Sequence, residues 1–272
     1  MQTSGRGLLL LLLLIIPGYA IFEDSESGPR AEGMGGSFTA VADDIGAVDF
    51  NPAGLALISE KQFLGFYKLL YGGVGVNLHT IQAGAGVPVR NLGAIALRFQ
   101  ETGFKLQSQR SLKLAHGFQI AEGLMFGYGI NGYSLYQQNF GAGFALGVDL
   151  SLLARFARFW SAGFYARNVN MPRIGSSELP QRLVFGIGFS PRPGIQSAVQ
   201  VAKEPGIRTQ FAFGQEFEVV ADYLSLRAGV ETEPVRFSFG VGTGFRKVGV
   251  DYALITHPVL PFSHNFGVRV RF

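Results

Sequence analysis

From about residue 61 onward, the chain alternates between apolar residues and small or polar ones with a period of two, in segments of about ten residues. Turn-forming residues separate the segments. The last segment shows the pattern most clearly, because glycine and arginine fall on one face and apolar side chains on the other. The apolar face consists of Phe266, Val268, Val270 and Phe272. This alternation predicts β-strands, and no long helical periodicity competes with it.

The same pattern gives a strand count. We predict strands near 61–70, 74–89, 92–101, 109–120, 123–136, 140–153, 159–169, 181–190, 194–202, 208–217, 222–232, 234–243, 246–255 and 263–272. These are fourteen strands, an even number. Connections after the even-numbered strands are mostly tight, whereas several of the others are longer and contain proline. Short turns at one end and longer loops at the other are typical of the periplasmic and extracellular ends of an outer-membrane barrel.

Composition separates two all-β architectures. The 272 residues include 38 glycines, 25 phenylalanines and no cysteine, and only 15% of them are charged. A soluble β-sandwich also alternates, but it buries its apolar face and covers its outside with many charges. A transmembrane barrel turns apolar residues towards lipid, and it closes because lipid satisfies no backbone groups. The sequence therefore favours an all-β, transmembrane outer-membrane β-barrel of about 14 antiparallel strands over residues 61–272, with the sandwich as the alternative.

The N-terminus predicts export. Arg6 precedes an uninterrupted run of nine apolar residues at 8–16, and the small residues Gly18 and Ala20 follow. This order is typical of a cleaved secretory signal peptide at 1–20. The alternative, a membrane anchor, is disfavoured because the run spans about 14 Å as a helix, far less than the roughly 30 Å hydrocarbon core. We therefore expect the bacterial outer membrane as the location.

Residues 21–60 differ from the strand-rich remainder and are too short for an independent domain. Asn51 is a good helix N-cap and Pro52 suits the first helical position, while Ser37 can cap a short helix through Ala42. Close backbone approach and positive φ are possible at Gly33, Gly35 and Gly36. These features predict a compact insert with two short helices, shaped to fill the mouth or lumen of a barrel.

Two motifs in this segment resemble a known family. The run GMGGSFTAVADD (33–44) and the run DFNPAGLA (49–56) are similar to the N-terminal hatch of FadL-type outer-membrane transporters of hydrophobic compounds. They are closer still to relatives of the PorV/PorQ type. The resemblance implies a barrel plugged by its N-terminal segment, although this chain is much shorter than the long-chain fatty-acid transporters. The implied plug and gate residues are Gly33, Gly35, Gly36, Asp43, Asp44, Asn51, Pro52 and Ala53.

The resemblance leads to two functional expectations. The first is passive transport of hydrophobic, fatty-acid-like compounds, with Phe38, Phe50 and Tyr133 lining an apolar pocket between plug and wall. Apolar burial yields about 25 cal/mol per Å², so such a ligand needs no polar recognition. The alternative is a PorV-like component of a secretion or surface-attachment system, with exported proteins as partners. The terminal Phe272 and its alternating segment resemble the recognition signal of the barrel-assembly machinery, a further expected partner beside outer-membrane lipid.

Other chemistry receives little support from the sequence. Asp43 and Asp44 could bind a cation, accept backbone hydrogen bonds or pair with lumen arginines. The candidate arginines are Arg227, Arg236, Arg269 and Arg271. The four histidines lack metal-ligand spacing, glycine-rich runs lack a nucleotide-loop context, and no serine lies in a nucleophile elbow. The net charge of +4 is spread along the chain, against nucleic-acid binding. We predict no enzyme activity, cofactor or metal, with a barrel lipase as the alternative.

Overall fold

A computed structural model describes residues 22, 26–72, 77–104 and 106–272. The predicted signal peptide, 1–20, lies outside the described residues. The described part contains the helices α1 (Pro29–Gly33) and α2 (Ala47–Phe50), a 3₁₀ helix (Pro52–Leu57) and sixteen β-strands. No helix in these ranges combines the length and the hydropathy needed to cross a membrane.

Fourteen of the described strands form one closed antiparallel barrel, in which each strand pairs with the next barrel strand and β1 pairs with β16. The barrel strands are β1 (Gln62–Leu69), β2 (His79–Val89), β3 (Gly93–Phe104), β4 (Gln107–Ala121), β5 (Leu124–Gln137), β6 (Gly141–Phe156), β7 (Trp160–Arg167), β10 (Arg182–Arg192), β11 (Ile195–Lys203), β12 (Gln210–Val220), β13 (Leu224–Glu231), β14 (Arg236–Phe245), β15 (Val248–Ile255) and β16 (Ser263–Arg271). The predicted all-β barrel and its strand count are confirmed.

The two remaining described strands, β8 (Arg173–Ile174) and β9 (Ser177–Glu178), form a small hairpin in the loop between β7 and β10. Strand ends differ from the prediction by a few residues, most at β2, which begins at His79 instead of near residue 74. The β6 strand continues past residue 153 to Phe156, because pairing with β7 extends to Trp160.

The two faces of the wall differ in the way that the alternation predicts. On β14, for example, Phe237 and Phe239 are more than half exposed, whereas Ser238 between them is buried. Large apolar side chains are exposed in the same way around the barrel. A soluble monomer rarely exposes such continuous apolar surface, so the outer face is suited to contact with hydrocarbon chains.

The two ends of the barrel differ in their connections. At one end, the tight-turn end, each connection has two or three residues: 90–92, 122–123, 157–159, 193–194, 221–223 and 246–247. At the other, the loop end, the longer connections are 70–78, 168–181, 204–209 and 256–262. Trp160 lies on the outer face at the tight-turn end, with its ring 4.7 Å from that of Phe189. An interfacial aromatic girdle would lie at this level.

Residues 26–60, here called the N-terminal segment, cross the lumen from the loop end to the tight-turn end. Glu26 contacts Arg167 and Arg182 near the loop end, α1 packs against β13 to β16, and the 3₁₀ helix packs against β3 to β6. The expected helix from Ser37 through Ala42 is absent, and these residues form turns. The reason is that Thr39 makes hydrogen bonds to residues outside this stretch. Its side chain donates to Gln200 and its carbonyl accepts from Asn51.

Candidate functional site

The N-terminal segment touches the wall backbone to backbone, at glycines of both partners. A Cβ atom added at Gly229 would lie 2.2 Å from the nitrogen of Gly35, and one added at Gly33 would lie 3.1 Å from the Cα of Gly240. Gly35 and Gly36 also have φ values of 64° and 73°, which glycine adopts far more readily than other residues. All three predicted glycines therefore lie where the segment turns against β13 and β14.

The opposite side of the lumen repeats this arrangement. A Cβ atom added at Gly117 would lie 2.2 Å from the carbonyl oxygen of Pro52, and one added at Gly127 would lie 2.2 Å from the nitrogen of Ala53. Pro52 and Ala53 are both fully enclosed. Inward glycines thus bring the wall into backbone contact with the segment at these positions.

Asn51 joins three parts of the site. Its Oδ1 accepts a hydrogen bond from the Ala53 nitrogen at 3.1 Å and so caps the 3₁₀ helix. Its Nδ2 donates to the carbonyl oxygens of Thr39 at 2.7 Å and of Leu152 on β6 at 3.0 Å. One buried side chain therefore fixes the helix start, an upstream turn and the wall.

Six charged side chains form a closed cycle of ion pairs, the ionic ring, between the segment and the wall. Its members, in order around the cycle, are Arg30, Asp44, Arg269, Asp251, Arg227 and Glu216. Each neighbouring pair lies between 2.5 and 3.1 Å. The segment contributes Arg30 and Asp44, and β12, β13, β15 and β16 contribute one residue each.

The ring keeps its segment members charged. Burial alone would raise the pKa of Asp44, but the charges of Arg30 and Arg269 lower it from its usual 3.8 to about 2. Burial would lower the pKa of Arg30, but Asp43, Glu216 and Asp44 together hold it well above its usual value. Because each charge faces partners of opposite sign, the cost of removing it from water is offset within the ring.

The neighbouring Asp43 pairs with side chains of the protein itself. Its carboxylate accepts from Arg30 at 2.6 Å and from Gln196 on β11 at 3.2 Å. Of the four candidate arginines, only Arg269 pairs with either aspartate, and Arg236 pairs with Glu231 instead. In the described ranges, no three His, Asp or Glu side chains are grouped so that they could hold a metal ion.

Two further ion pairs lie deep in the lumen and were missed by the sequence analysis. Asp49 on α2 binds Arg98 on β3 at 2.8 Å, and Asp149 on β6 binds Lys113 on β4 at 2.6 Å. The signal that could have revealed them is the position of the charged residues in the alternation. Arg98, Lys113 and Asp149 occupy inward positions of strands that carry few charges. A charge on the lumen side of such a strand predicts a buried partner.

The structure does not bring the three predicted ligand-binding aromatics together. The rings of Phe38 and Phe50 lie 5.7 Å apart in the apolar core that the segment forms with the wall. Tyr133 belongs to a separate cluster, with its ring 4.9 Å from that of Phe22 and its hydroxyl donating to Asn168 at 3.0 Å. This cluster, here called the upper cluster because it lies towards the loop end, also includes Leu135, Ala145 and Leu179. The expected single pocket is therefore divided in two, because the segment's backbone already occupies the centre of the lumen.

Open space remains on both sides of the segment. An open cavity at the loop end is lined by charged residues such as Glu26, Lys68 and Arg236. A second open cavity at the tight-turn end is lined by Arg246, Arg271 and others. Arg227 and Arg269 of the ionic ring line the second cavity.

Comparison with known proteins places the fold. A family described as an uncharacterised protein family (UPF0164) matches residues 24–144. No curated protein sequence matches the chain.

Solved structures give a broader likeness. The toluene transporter TbuX of Ralstonia pickettii is similar with a TM-score of 0.69 at 14% identity, over 93% of this chain and 100% of the other. The toluene transporter TodX of Pseudomonas putida gives 0.65 at 12% identity, over 90% and 97%. A FadL homologue of Pseudomonas aeruginosa gives 0.64 at 12% identity, over 90% and 98%. The chain thus has the fold of FadL-type outer-membrane barrels.

Proposed function

We propose that this protein is a bacterial outer-membrane barrel through which hydrophobic, fatty-acid-like compounds cross passively, after export and cleavage of residues 1–20. The apolar outer face and the pattern of short turns and longer loops support the location. The names of the similar barrels, two of them toluene transporters, support an apolar solute. Residues 21–60 act as a plug and 61–272 as the barrel.

The main observation behind this proposal is the position of the N-terminal segment. Its backbone lies against wall glycines on both sides, and the ionic ring and Asn51 fix it there. An open water-filled pore would leave the lumen clear, as in porins. A solute that crosses this barrel has to bind at the loop end and wait for the segment to move.

We assign the gate to Gly33, Gly35, Gly36, Asp43, Asp44, Asn51, Pro52 and Ala53. The upper cluster around Tyr133 is the proposed first binding site, since it is apolar and lies towards the loop end. Leu179 connects it with a surface cavity beside β9 that Met171 and Pro180 also line. Tyr133, Phe38 and Phe50 are all buried. A solute would reach Tyr133 only when the packing of the upper cluster opens, and Phe38 and Phe50 only after the segment moves.

The test is uptake by the barrel in liposomes. Fluorescent fatty acid and radiolabelled toluene are added outside, and their entry is compared with ion conductance across planar bilayers. We expect solute entry with low conductance, and we expect Tyr133→Ala to lower entry severalfold. Tyr128→Ala is the matched control, because Tyr128 is on the same strand but faces outward. Equal entry with and without the barrel would contradict the proposal.

A PorV-like role is the second candidate, supported by apolar residues exposed at the loop end. Phe140 and Val259 are 87% and 86% exposed. Contact with lipid alone does not require side chains of a loop to be so exposed. If site-specific crosslinkers at these two residues capture an exported protein in cells while solute entry is absent, this candidate replaces transport.

We further propose that Phe266, Val268, Val270 and Phe272 are recognised by the barrel-assembly machinery. The first three face outward on β16 and Phe272 follows this strand, exposed, so a second protein can reach them. Deleting Phe272 should lower the amount of barrel in the outer membrane. Unchanged outer-membrane levels would contradict this assignment.

A further inference from the structure

The six connections of the tight-turn end differ in the residues at their left-handed positions. Four of them place Asn91, Gly123, Gly194 and Asp222 at positive φ. Glycine, asparagine and aspartate are the residues that adopt this conformation most readily. The other two connections place Ala157 (φ 47°) with Arg158 (φ 63°), and Arg246 (φ 56°), there instead. Local backbone preference therefore does not explain these two arginines.

The two arginines share the same surroundings. Arg158 lies over the ring of Phe159, and Arg246 lies over the ring of Phe245, each at 5.3 Å from the ring centre. Both arginines are exposed, and both rings belong to the outward-facing aromatic residues at this end. Each guanidinium group thus lies beside an aromatic ring at the edge of the apolar surface, and its exposed N–H groups are available to a ligand.

The tight turns also carry a net positive charge, which favours an anionic ligand. The tight turns and the residues that adjoin them contain five bases and two acids. The bases are Arg90, Arg158, Arg192, Arg246 and Lys247, and the acids are Glu122 and Asp222. A net positive charge next to exposed aromatic residues is complementary to a layer of phosphate groups above hydrocarbon.

We propose that Arg158 and Arg246 each bind the phosphate of an anionic phospholipid in the leaflet that surrounds the tight-turn end. The planar guanidinium group donates two parallel hydrogen bonds to phosphate oxygens, which an ammonium group cannot do. The aromatic ring beneath it contacts the start of the acyl chains. This proposal rests on the proposed membrane location but not on the identity of any transported solute.

The test measures which lipids stay bound. The barrel is reconstituted in nanodiscs of equal dioleoylphosphatidylcholine and dioleoylphosphatidylglycerol, released, and its retained lipids are counted by native mass spectrometry. We expect the wild type to retain phosphatidylglycerol preferentially. Arg158→Gln and Arg246→Gln should each lower that affinity about fivefold, as expected for one basic residue at an anionic membrane surface. The double variant should lose the preference.

Two controls separate lipid binding from folding. Arg173→Gln with Arg208→Gln removes two exposed charges at the loop end, and it should leave the preference unchanged. Arg158→Gly with Arg246→Gly should lose the preference while the barrel resists heat in zwitterionic detergent at least as well, because glycine suits positive φ. If the arginines had only a structural role, the glycine variant would keep the lipid preference and would resist heat less well than the wild type.

Two outcomes would overturn the proposal in different ways. If the wild type inserts into bilayers without preferring phosphatidylglycerol, or if the double glutamine variant keeps the preference, the lipid sites are refuted and the membrane location stands. If the wild type fails to enter nanodiscs of phosphatidylcholine alone, the membrane location itself is refuted, and the lipid sites with it.

Discussion

The outer and inner faces of the same strands follow different rules. On β14, the outer face presents Phe237, Phe239 and Val241, and the inner face presents Gly240 and Gly242. Hydrocarbon chains are fluid, so any large apolar side chain suits the outer face. The inner face meets fixed partners, either the N-terminal segment or buried side chains of the wall, and a position in contact has to match particular atoms of them.

This difference predicts how each face tolerates substitution. Replacing one outward apolar residue by another leaves the contact with lipid unchanged. On the inner face, one extra methyl group meets backbone, and one missing charge leaves another charge buried without its partner. The effects of inner-face substitutions should therefore exceed those of matched outer-face ones, and the following experiments test this.

The largest effect is expected at Arg98. Arg98→Ala leaves Asp49, whose side chain is fully buried, without its cation. Breaking a buried pair in this way costs about 3–5 kcal/mol. Urea unfolding in detergent micelles measures the loss. Arg110→Ala is the control, because its pair with Glu101 is exposed and should contribute about 0–1 kcal/mol. Equal losses would contradict the comparison.

The next largest effect is expected at Gly229, with its outward neighbour Ala228 as the control. Gly229→Ala places a Cβ atom 2.2 Å from the Gly35 nitrogen, so the segment has to shift. Overpacking of this kind costs about 1–3 kcal/mol, and conductance through the displaced segment should rise. Ala228→Val adds more volume one residue away, on the lipid side, and should leave both stability and conductance unchanged. Similar conductance in the two variants would show that the segment is not held at Gly229.

Acid should weaken the inner contacts and spare the outer ones. The pKa of Asp44 is lowered to about 2 by Arg30 and Arg269. A lowered pKa gives stability that is complete above the usual value of 3.8 and is lost as pH falls to about 2, here about 2 kcal/mol at 1.36 kcal/mol per pKa unit. Conductance should therefore rise between pH 4 and pH 2 while circular dichroism still reports strands. A flat conductance profile would contradict this role of the ring.

The smallest effect is expected at Asn51. Asn51→Ala removes the cap of the 3₁₀ helix, which costs about 0.5–2 kcal/mol, and leaves the Thr39 carbonyl without its donor. Solute entry or leak should change while the barrel stays folded. Asn51→Ser keeps an acceptor for the Ala53 nitrogen and should recover part of the loss. If leak and entry are unchanged in both variants, Asn51 has no part in the gate.

The comparison also explains how far the sequence could be interpreted. Lipid contact imposes a local rule, period-two alternation, and this rule is visible in each strand without knowledge of its partners. The strand count and the apolar face of β16 followed from it. The cap at Asn51 was equally local, since an asparagine before a proline suffices to predict it.

The ionic ring could not be predicted in the same way. Arg30 and Glu216 are 186 positions apart in the sequence, and only closure of the barrel makes them neighbours. The alternation placed Arg227 and Arg269 on the lumen side, but it did not determine which acids they meet. The expectation of one pocket lined by all three aromatic residues failed for a related reason. The path of the segment's backbone through the lumen decides which aromatic residues can meet.

The pairing of β1 with β16 has a consequence for the order of folding. Gln62 pairs with Arg271, so the strand next to the segment meets a strand more than two hundred residues later in the chain. Contacts this distant form slowly, because a long loop has to close before they give any stability. The contacts of the 3₁₀ helix with β3 to β6 join residues that are closer in sequence, so loop closure favours their formation before this seam seals. The lumen is therefore expected to fill while the wall is still open.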